Sequence, residues 1–204
     1  TDDNYVYEMA ADFFSGKKPM IILGQLIPEV VGNTLDAIEA LKKCAVVIQE
    51  KLADDDIAPA QPTDEVLKMI GEDEAYHPDH LLYIGGTIVS KRLRQFLRKS
   101  KCKMSIVVNE SGACCDTFMN ATDIIQGCAE DVIGIFANET EDGKEKDFVS
   151  LWKKAFDKAL AIRETINPRF SQLLAVKTFH EKMREEAIDG ELFYGNSMAV
   201  RLGN

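Results

Sequence analysis

Apolar positions along this chain fall into two patterns, short continuous runs and stripes at helical spacing. Pro19-Met20-Ile21-Ile22-Leu23-Gly24, Ala45-Val46-Val47-Ile48, Leu81-Leu82-Tyr83-Ile84-Gly85-Gly86 and Met104-Ser105-Ile106-Val107-Val108 are of the first kind. Such runs, ended by glycine or polar residues, predict strands buried on both faces. Thr122-Asp123-Ile124-Ile125-Gln126 predicts a fifth. Between them lie the helical stripes. One covers Tyr5 to Phe14, one runs through Leu35, Ile38 and Leu41 behind a cap at Asn33 or Thr34, and one opens at Thr63-Asp64-Glu65. Another spans Ser90 to Lys99, whereas Glu50 to Pro62, with three aspartates and two prolines, is a loop. Apolar strands alternating with helices predict a doubly wound α/β domain, a mostly parallel sheet with helices on both faces, Rossmann-like in architecture.

After Phe136 the pattern changes. Asn138 to Lys146 is an acidic linker, and two long helical stripes follow, Asp147 to Asn167 and Ser171 to Glu186, separated by the helix stop Asn167-Pro168. Gly190-Glu191-Leu192-Phe193-Tyr194-Gly195 then starts a new strand close to the end of the sequence. A lone strand cannot bury itself, so the expected organisation is an N-terminal linker or helix (1–16), a central α/β domain (17–186, with a helical tail over 147–186) and the cut beginning of a further domain (187–204).

With 204 residues and 46% hydrophobic content, the chain holds one globular domain and a remainder. Twenty-four basic against 34 acidic residues give a net charge of −10, which disfavours nucleic acid or an anionic membrane as the main partner. No apolar run approaches the roughly 18 residues of a spanning helix, so membrane insertion is not expected. Five cysteines, an odd number with no C-x-x-C pair, do not read as a disulfide framework and point to a reducing, cytoplasmic setting.

The usual cofactor signatures are missing. The sequence contains no G-x-G-x-x-G and no G-x-x-x-x-G-K-[ST]. His77 and His80 flank Pro78-Asp79 with no third ligand nearby, so they read as polar residues of a loop ahead of a strand, and no metal site is expected. Trp152, spaced with Phe148, Ala155 and Phe156, reads as core.

Two places invite a functional reading. At Ser90-Lys91-Arg92 basic residues stand at a helix start, where the free N–H groups already carry partial positive charge and acidic residues are expected. An anionic ligand at the C-terminal edge of a parallel strand would explain them. A basic helix surface, continued by Arg94, Arg98 and Lys99, would explain them too. At Gly195-Asn196-Ser197-Met198-Ala199-Val200-Arg201 a strand ends, Ser197 can cap a helix and Arg201 lies about one turn on, an arrangement suited to a carboxylate; a capped helix with a surface arginine is the other reading.

These two segments resemble one family. Gly195-Asn196-Ser197-Met198-Ala199-Val200-Arg201 is similar to the G-N-S-[ML]-x-V-R segment of the 2-succinyl-5-enolpyruvyl-6-hydroxy-3-cyclohexene-1-carboxylate synthases, thiamine-diphosphate enzymes of menaquinone biosynthesis. Pro78-Asp79, Gly85, Ser90-Lys91-Arg92-Leu93 and Phe96-Leu97 resemble the same family's P-D…G…S-K-R-L…F-L segment. Gly127-Cys128-Ala129-Glu130-Asp131 sits where such proteins begin the helix closing their central domain. The resemblance implies that 17–186 is that central domain and 187–204 the first strand and turn of the diphosphate-binding domain. It implies an enzyme that decarboxylates 2-oxoglutarate and adds the succinyl unit to isochorismate, using thiamine diphosphate and Mg²⁺. In this family the residues holding that cofactor and metal lie upstream of Thr1 and downstream of Asn204. No catalytic, cofactor-binding or metal residue is therefore expected within 1–204, and the chain alone is expected to be inactive. By analogy Ser197 and Arg201, with Asn196, would hold the carboxylate of the oxoglutarate-derived unit, and Lys91 and Arg92 would meet carboxylates of isochorismate. A homo-oligomer is implied for the complete enzyme. Two alternatives stand beside it, an acetohydroxyacid-synthase-like enzyme of another 2-oxo acid and a non-catalytic nucleotide-binding or interaction module.

Overall fold

Each continuous apolar run is a strand in the computed structural model, which describes residues 3–50, 61–140 and 146–187. In chain order the strands are β1 (Pro19–Leu23), β2 (Val46–Gln49), β3 (His80–Ile84), β4 (Met104–Val108) and β5 (Asp123–Ile125). They form one all-parallel sheet in the order β2-β1-β3-β4-β5. The helices are α1 (Asp3–Ser15), α2 (Pro28–Cys44), α3 (Thr63–Ile70), α4 (Lys91–Lys99), α5 (Ala129–Asn138), α6 (Asp147–Thr165) and α7 (Gln172–Glu185).

Alternation of side chains along each strand sorts the core into two layers. Ile21, Leu23, Leu82, Ile84, Ile106 and Val108 face Phe13 of α1, Ile38 and Leu41 of α2, and Ile133 and Phe136 of α5. Met20, Ile22, Leu81, Tyr83 and Val107 face Val66 and Leu67 of α3, Leu93, Phe96 and Leu97 of α4, and Trp152 and Ala155 of α6. Trp152 is core, 1% exposed, and its indole N–H donates to the Tyr76 carbonyl at 3.2 Å. Within the segment expected as a linker or helix, α1 buries Val6, Met9, Ala10 and Phe13 in the first layer.

Two local features differ from expectation, at α2 and at His80, and the β4–β5 crossover carried no assigned element. Helix α2 begins at Pro28, ahead of Asn33 and Thr34, because proline at its first position is pre-set in φ and has no N–H to waste. Thr34 is then internal and donates its hydroxyl to the Val30 carbonyl at 2.7 Å. The β4–β5 crossover, residues 109–122, has no helix; Phe118, 2% exposed, covers the second layer there. His80 is not a loop residue but the buried first residue of β3, with Nδ1 2.9 Å from the Phe13 carbonyl oxygen.

The chain divides into two compact units, 1–160 and 161–204. In the second, residues are described to 187, and α7, capped by the Ser171 hydroxyl, has no buried residue. The expected strand at 190–195 lies outside the described residues.

Candidate functional site

A parallel sheet with this strand order reverses direction between β1 and β3, and ligands of such sheets commonly sit in the crevice beyond the carboxyl ends of those two strands. Here protein fills it. Gly24 N–H donates to the Ile84 carbonyl at 2.8 Å, Gly86 N–H to the Gln25 carbonyl at 2.8 Å, and Gln25 N–H to the Thr87 carbonyl at 3.2 Å. The fit depends on missing side chains, since a Cβ on Gly24 would stand 2.4 Å from the Gly86 carbonyl oxygen. Gly85 is also required for its φ of +94°.

Beyond this zipped pair of loops stands the start of α4, where the sequence places Lys91 and Arg92. Ser90 caps the helix, its hydroxyl oxygen accepting from Leu93 N–H at 2.9 Å and donating to the Asp64 carboxylate. The two amides just ahead of Lys91 are also taken. Glu50, which follows β2 and is 6% exposed, accepts from Val89 N–H at 3.2 Å and Ser90 N–H at 3.1 Å, one carboxylate oxygen to each. The protein's own carboxylate therefore occupies the position in which an anionic ligand was expected. Burial pushes the Glu50 carboxyl above its ordinary value, with Asp64 adding to the rise, while the two amides and Arg94 oppose it.

Lys91 and Arg92 do not point the same way, since consecutive helical residues diverge by about 100°. Arg92 is exposed, donates through Nη1 to the Asp64 carbonyl at 3.2 Å and lines a recess of about 190 Å³ between α3 and α4 with Gln95, Phe96 and Lys99. Lys99 there pairs with Glu72 at 2.6 Å. Lys91 is exposed and makes no ion pair or hydrogen bond to a described residue. Asn196, Ser197 and Arg201 lie outside the described residues.

Pro78-Asp79 lies at the opposite, N-terminal edge of the sheet. The Asp79 carboxylate accepts from the backbone N–H of Lys18 at 2.8 Å and of Lys17 at 3.2 Å, fixing the entry to β1. Its carbonyl accepts from Lys103 N–H at 2.7 Å beside β4. Asp79 is thus a tie between strand starts, a strand's length from Lys91. His77 is stacked on Phe96, ring centroids 4.3 Å apart, with Nδ1 2.8 Å from the Ser100 hydroxyl. Burial holds its pKa below the ordinary histidine value. A cavity of about 550 Å³ opens at this edge beside Lys17, Lys18 and Lys146, but the Lys18 ammonium donates to the Glu74 carbonyl and that of Lys146 to those of Phe14 and Gly16.

No group of three His, Cys, Asp or Glu side chains among the described residues is placed to hold a metal ion. With the crevice filled by backbone, the described residues around it do not fit a diphosphate and its metal. None of the five cysteines is joined in a disulfide. Among the described residues no helix is long and apolar enough to cross a membrane.

Sequence reasoning missed Glu50, which it left at the head of an acidic loop. The available signal was its place directly after a buried strand, at the edge where such sheets do their chemistry.

No family model matches the chain. A 2-succinyl-5-enolpyruvyl-6-hydroxy-3-cyclohexene-1-carboxylate synthase of Porphyromonas gingivalis is 29% identical over 147 residues, 68% of this chain and 25% of that protein. This chain is similar to synthases of that name. The Bacillus cytotoxicus protein so named is 25% identical over 130 residues, 63% of this chain and 22% of its own length. The matched part of this chain thus spans about a quarter of the synthases it resembles.

Proposed function

We propose that this chain is the central domain of a thiamine-diphosphate-dependent synthase that decarboxylates 2-oxoglutarate and adds the succinyl unit to isochorismate in menaquinone biosynthesis. The observation that carries the reading is the shared name of two synthases, each similar to about two thirds of the chain. The S-K-R-L segment supports it by standing at a sheet edge suited to charged ligands, with Ser90 capping the helix and Lys91 exposed. In this reading Lys91 and Arg92 meet carboxylates of isochorismate, and Asn196, Ser197 and Arg201 hold that of the oxoglutarate-derived unit. Each cation offers a charge-assisted hydrogen bond, worth roughly 1.5–3 kcal/mol. Thiamine diphosphate and Mg²⁺ belong to parts of the longer, oligomeric enzyme outside this chain.

The test uses the complete protein. With thiamine diphosphate, Mg²⁺ and 2-oxoglutarate supplied, loss of isochorismate and appearance of the succinylated product are followed together. Product that requires all three components is the expected result. Decarboxylation without use of isochorismate would move the protein to another enzyme of 2-oxo acids, and no reaction would sink the reading. The 204-residue chain alone is expected to bind no thiamine diphosphate in the micromolar range by calorimetry; such binding would overturn the domain assignment.

A further inference from the structure

The buried carboxylate at the end of β2 makes none of the substrate contacts proposed above, yet it holds the backbone from which they project. We propose that Glu50 is a positioning residue for the Lys91–Arg92 corner, a role that rests on the synthase reading. Its own N–H donates to the Leu23 carbonyl at 2.9 Å, so its main chain is anchored to the strand-order reversal. Its two carboxylate oxygens divide between Val89 N–H and Ser90 N–H, the amides immediately preceding Lys91. From Ser90 the corner continues into α3, through the hydroxyl to Asp64 and from Arg92 Nη1 to the Asp64 carbonyl. Strand end, helix start and the Arg92 guanidinium thus form one connected frame with Glu50 at its root, and Lys91 projects from the same backbone.

Two acceptors side by side are required there. An amide of the same shape offers one acceptor and turns an NH₂ group toward the other backbone N–H, leaving donor against donor. A buried carboxylate is also a costly way to fill space. Its placement here is explained by the geometry it imposes more readily than by stability. The charged and titratable groups facing it are Asp64 from α3, Arg94 from α4 and Tyr83 from β3. Burial raises the Glu50 pKa, so the frame loses an acceptor at a higher pH than a solvent-exposed glutamate would dictate. The consequence is confined to the corner. The KM for the carboxylate-bearing acceptor should rise as pH falls, while decarboxylation of the 2-oxo acid donor without acceptor should not follow it.

The experiment compares Glu50→Gln with wild type in the complete protein. The expected result is about a tenfold rise in acceptor KM, the worth of one charge-assisted hydrogen bond. Donor decarboxylation should be unchanged, and the acid-side rise in acceptor KM should be absent from the variant. Unchanged acceptor KM, or an equal loss in donor decarboxylation, overturns the role. A second measurement needs no substrate. In the 204-residue chain, the amide resonances of Val89 and Ser90 should titrate together in wild type and be flat in Glu50→Gln. Amides that do not titrate overturn the frame itself. A wild-type protein that consumes no acceptor overturns the synthase reading and the positioning role with it, and the amide titration distinguishes that failure from a frame that does not form.

Discussion

Removing the Asp79 carboxylate should lower stability by about 2–3 kcal/mol and leave the α4 corner untouched. The magnitude follows from the two bonds it accepts. The bond from Lys18 N–H is 2.8 Å long and part-buried, and a hydrogen bond to a charged group is worth roughly 1.5–3 kcal/mol. The bond from Lys17 N–H is 3.2 Å long and exposed, so water replaces most of it and it adds a few tenths at most. The backbone bonds of Asp79 to Lys18 and Lys103 survive the substitution. For a chain of this size each kcal/mol moves the melting midpoint by about 2–4 °C, so Asp79→Ala should melt about 4–12 °C lower. Asp79→Asn keeps one side-chain oxygen for Lys18 and should lose less than half as much. Urea and thermal unfolding followed by circular dichroism measure both variants. An Asp79→Ala protein within about 0.5 kcal/mol of wild type would refute the reasoning. So would a stable variant in which binding of a carboxylate substrate by the complete enzyme is weakened, because the residue would then belong to a site rather than to the sheet.

Thiol reactivity should follow exposure. Cys114 and Cys115 are exposed, whereas burial pushes the Cys102 thiol up to about 12, so iodoacetamide near neutral pH should label the first two and spare Cys102 until unfolding, as read by mass spectrometry. The His77 pKa is depressed below 6.5 by burial, so the unfolded chain takes up a proton first as pH falls. Its contribution to stability is therefore complete above about pH 6.5 and is lost as pH falls through the folded value; the urea midpoint should drop on acidification in wild type and drop less in His77→Gln. In the complete enzyme the costs of Lys91→Ala and Arg92→Ala on acceptor use should add to within about 0.5 kcal/mol, since the two side chains diverge and share no partner. A coupling energy above about 1 kcal/mol would mean that both grip one carboxylate.

Strands β1 to β4 were legible because burial on both faces leaves them almost wholly apolar, with Ser105 and the terminal Gln49 and His80 as the exceptions. Met104–Val108 agrees with its sequence assignment to the residue, and the other strands to within a residue or two. Helix starts were legible where a side chain announces them, as at Ser90 and Ser171, each of which accepts a backbone N–H, whereas the start at Cys128 was placed by the family resemblance alone. The start of α2 was not, because Gly32 and Asn33 suggest a boundary that the tertiary packing of Val31, Ile38 and Leu41 overrides. The α4 corner was found from a local anomaly, basic residues at a positive helix end. Its partner Glu50 was not, because the pairing joins residues 40 positions apart and the only local signal was its place directly after a buried strand.

The anomaly at α4 has an electrostatic resolution that changes what the corner can do. Left alone, a helix N-terminus bearing Lys91 and Arg92 would draw any anion into the amides at its head. Glu50 occupies the two amides preceding the helix and Ser90 Oγ the amide of Leu93, with Asp64 bonded to the same hydroxyl, so those three amides are closed to a ligand. The side chains remain: Lys91 exposed, and Arg92 tethered by one donor to the Asp64 carbonyl with others of its guanidinium available. Under the proposed function, recognition through such a corner depends chiefly on where the cations stand. The crevice between β1 and β3, where a sheet of this order would enclose a ligand, is closed by its own loops. Under the proposed function these two facts fit together. In that reading the domain, whose matched part spans about a quarter of the synthases it resembles, would contribute a helix start carrying two cations, and the remainder of the enzyme would complete the pocket.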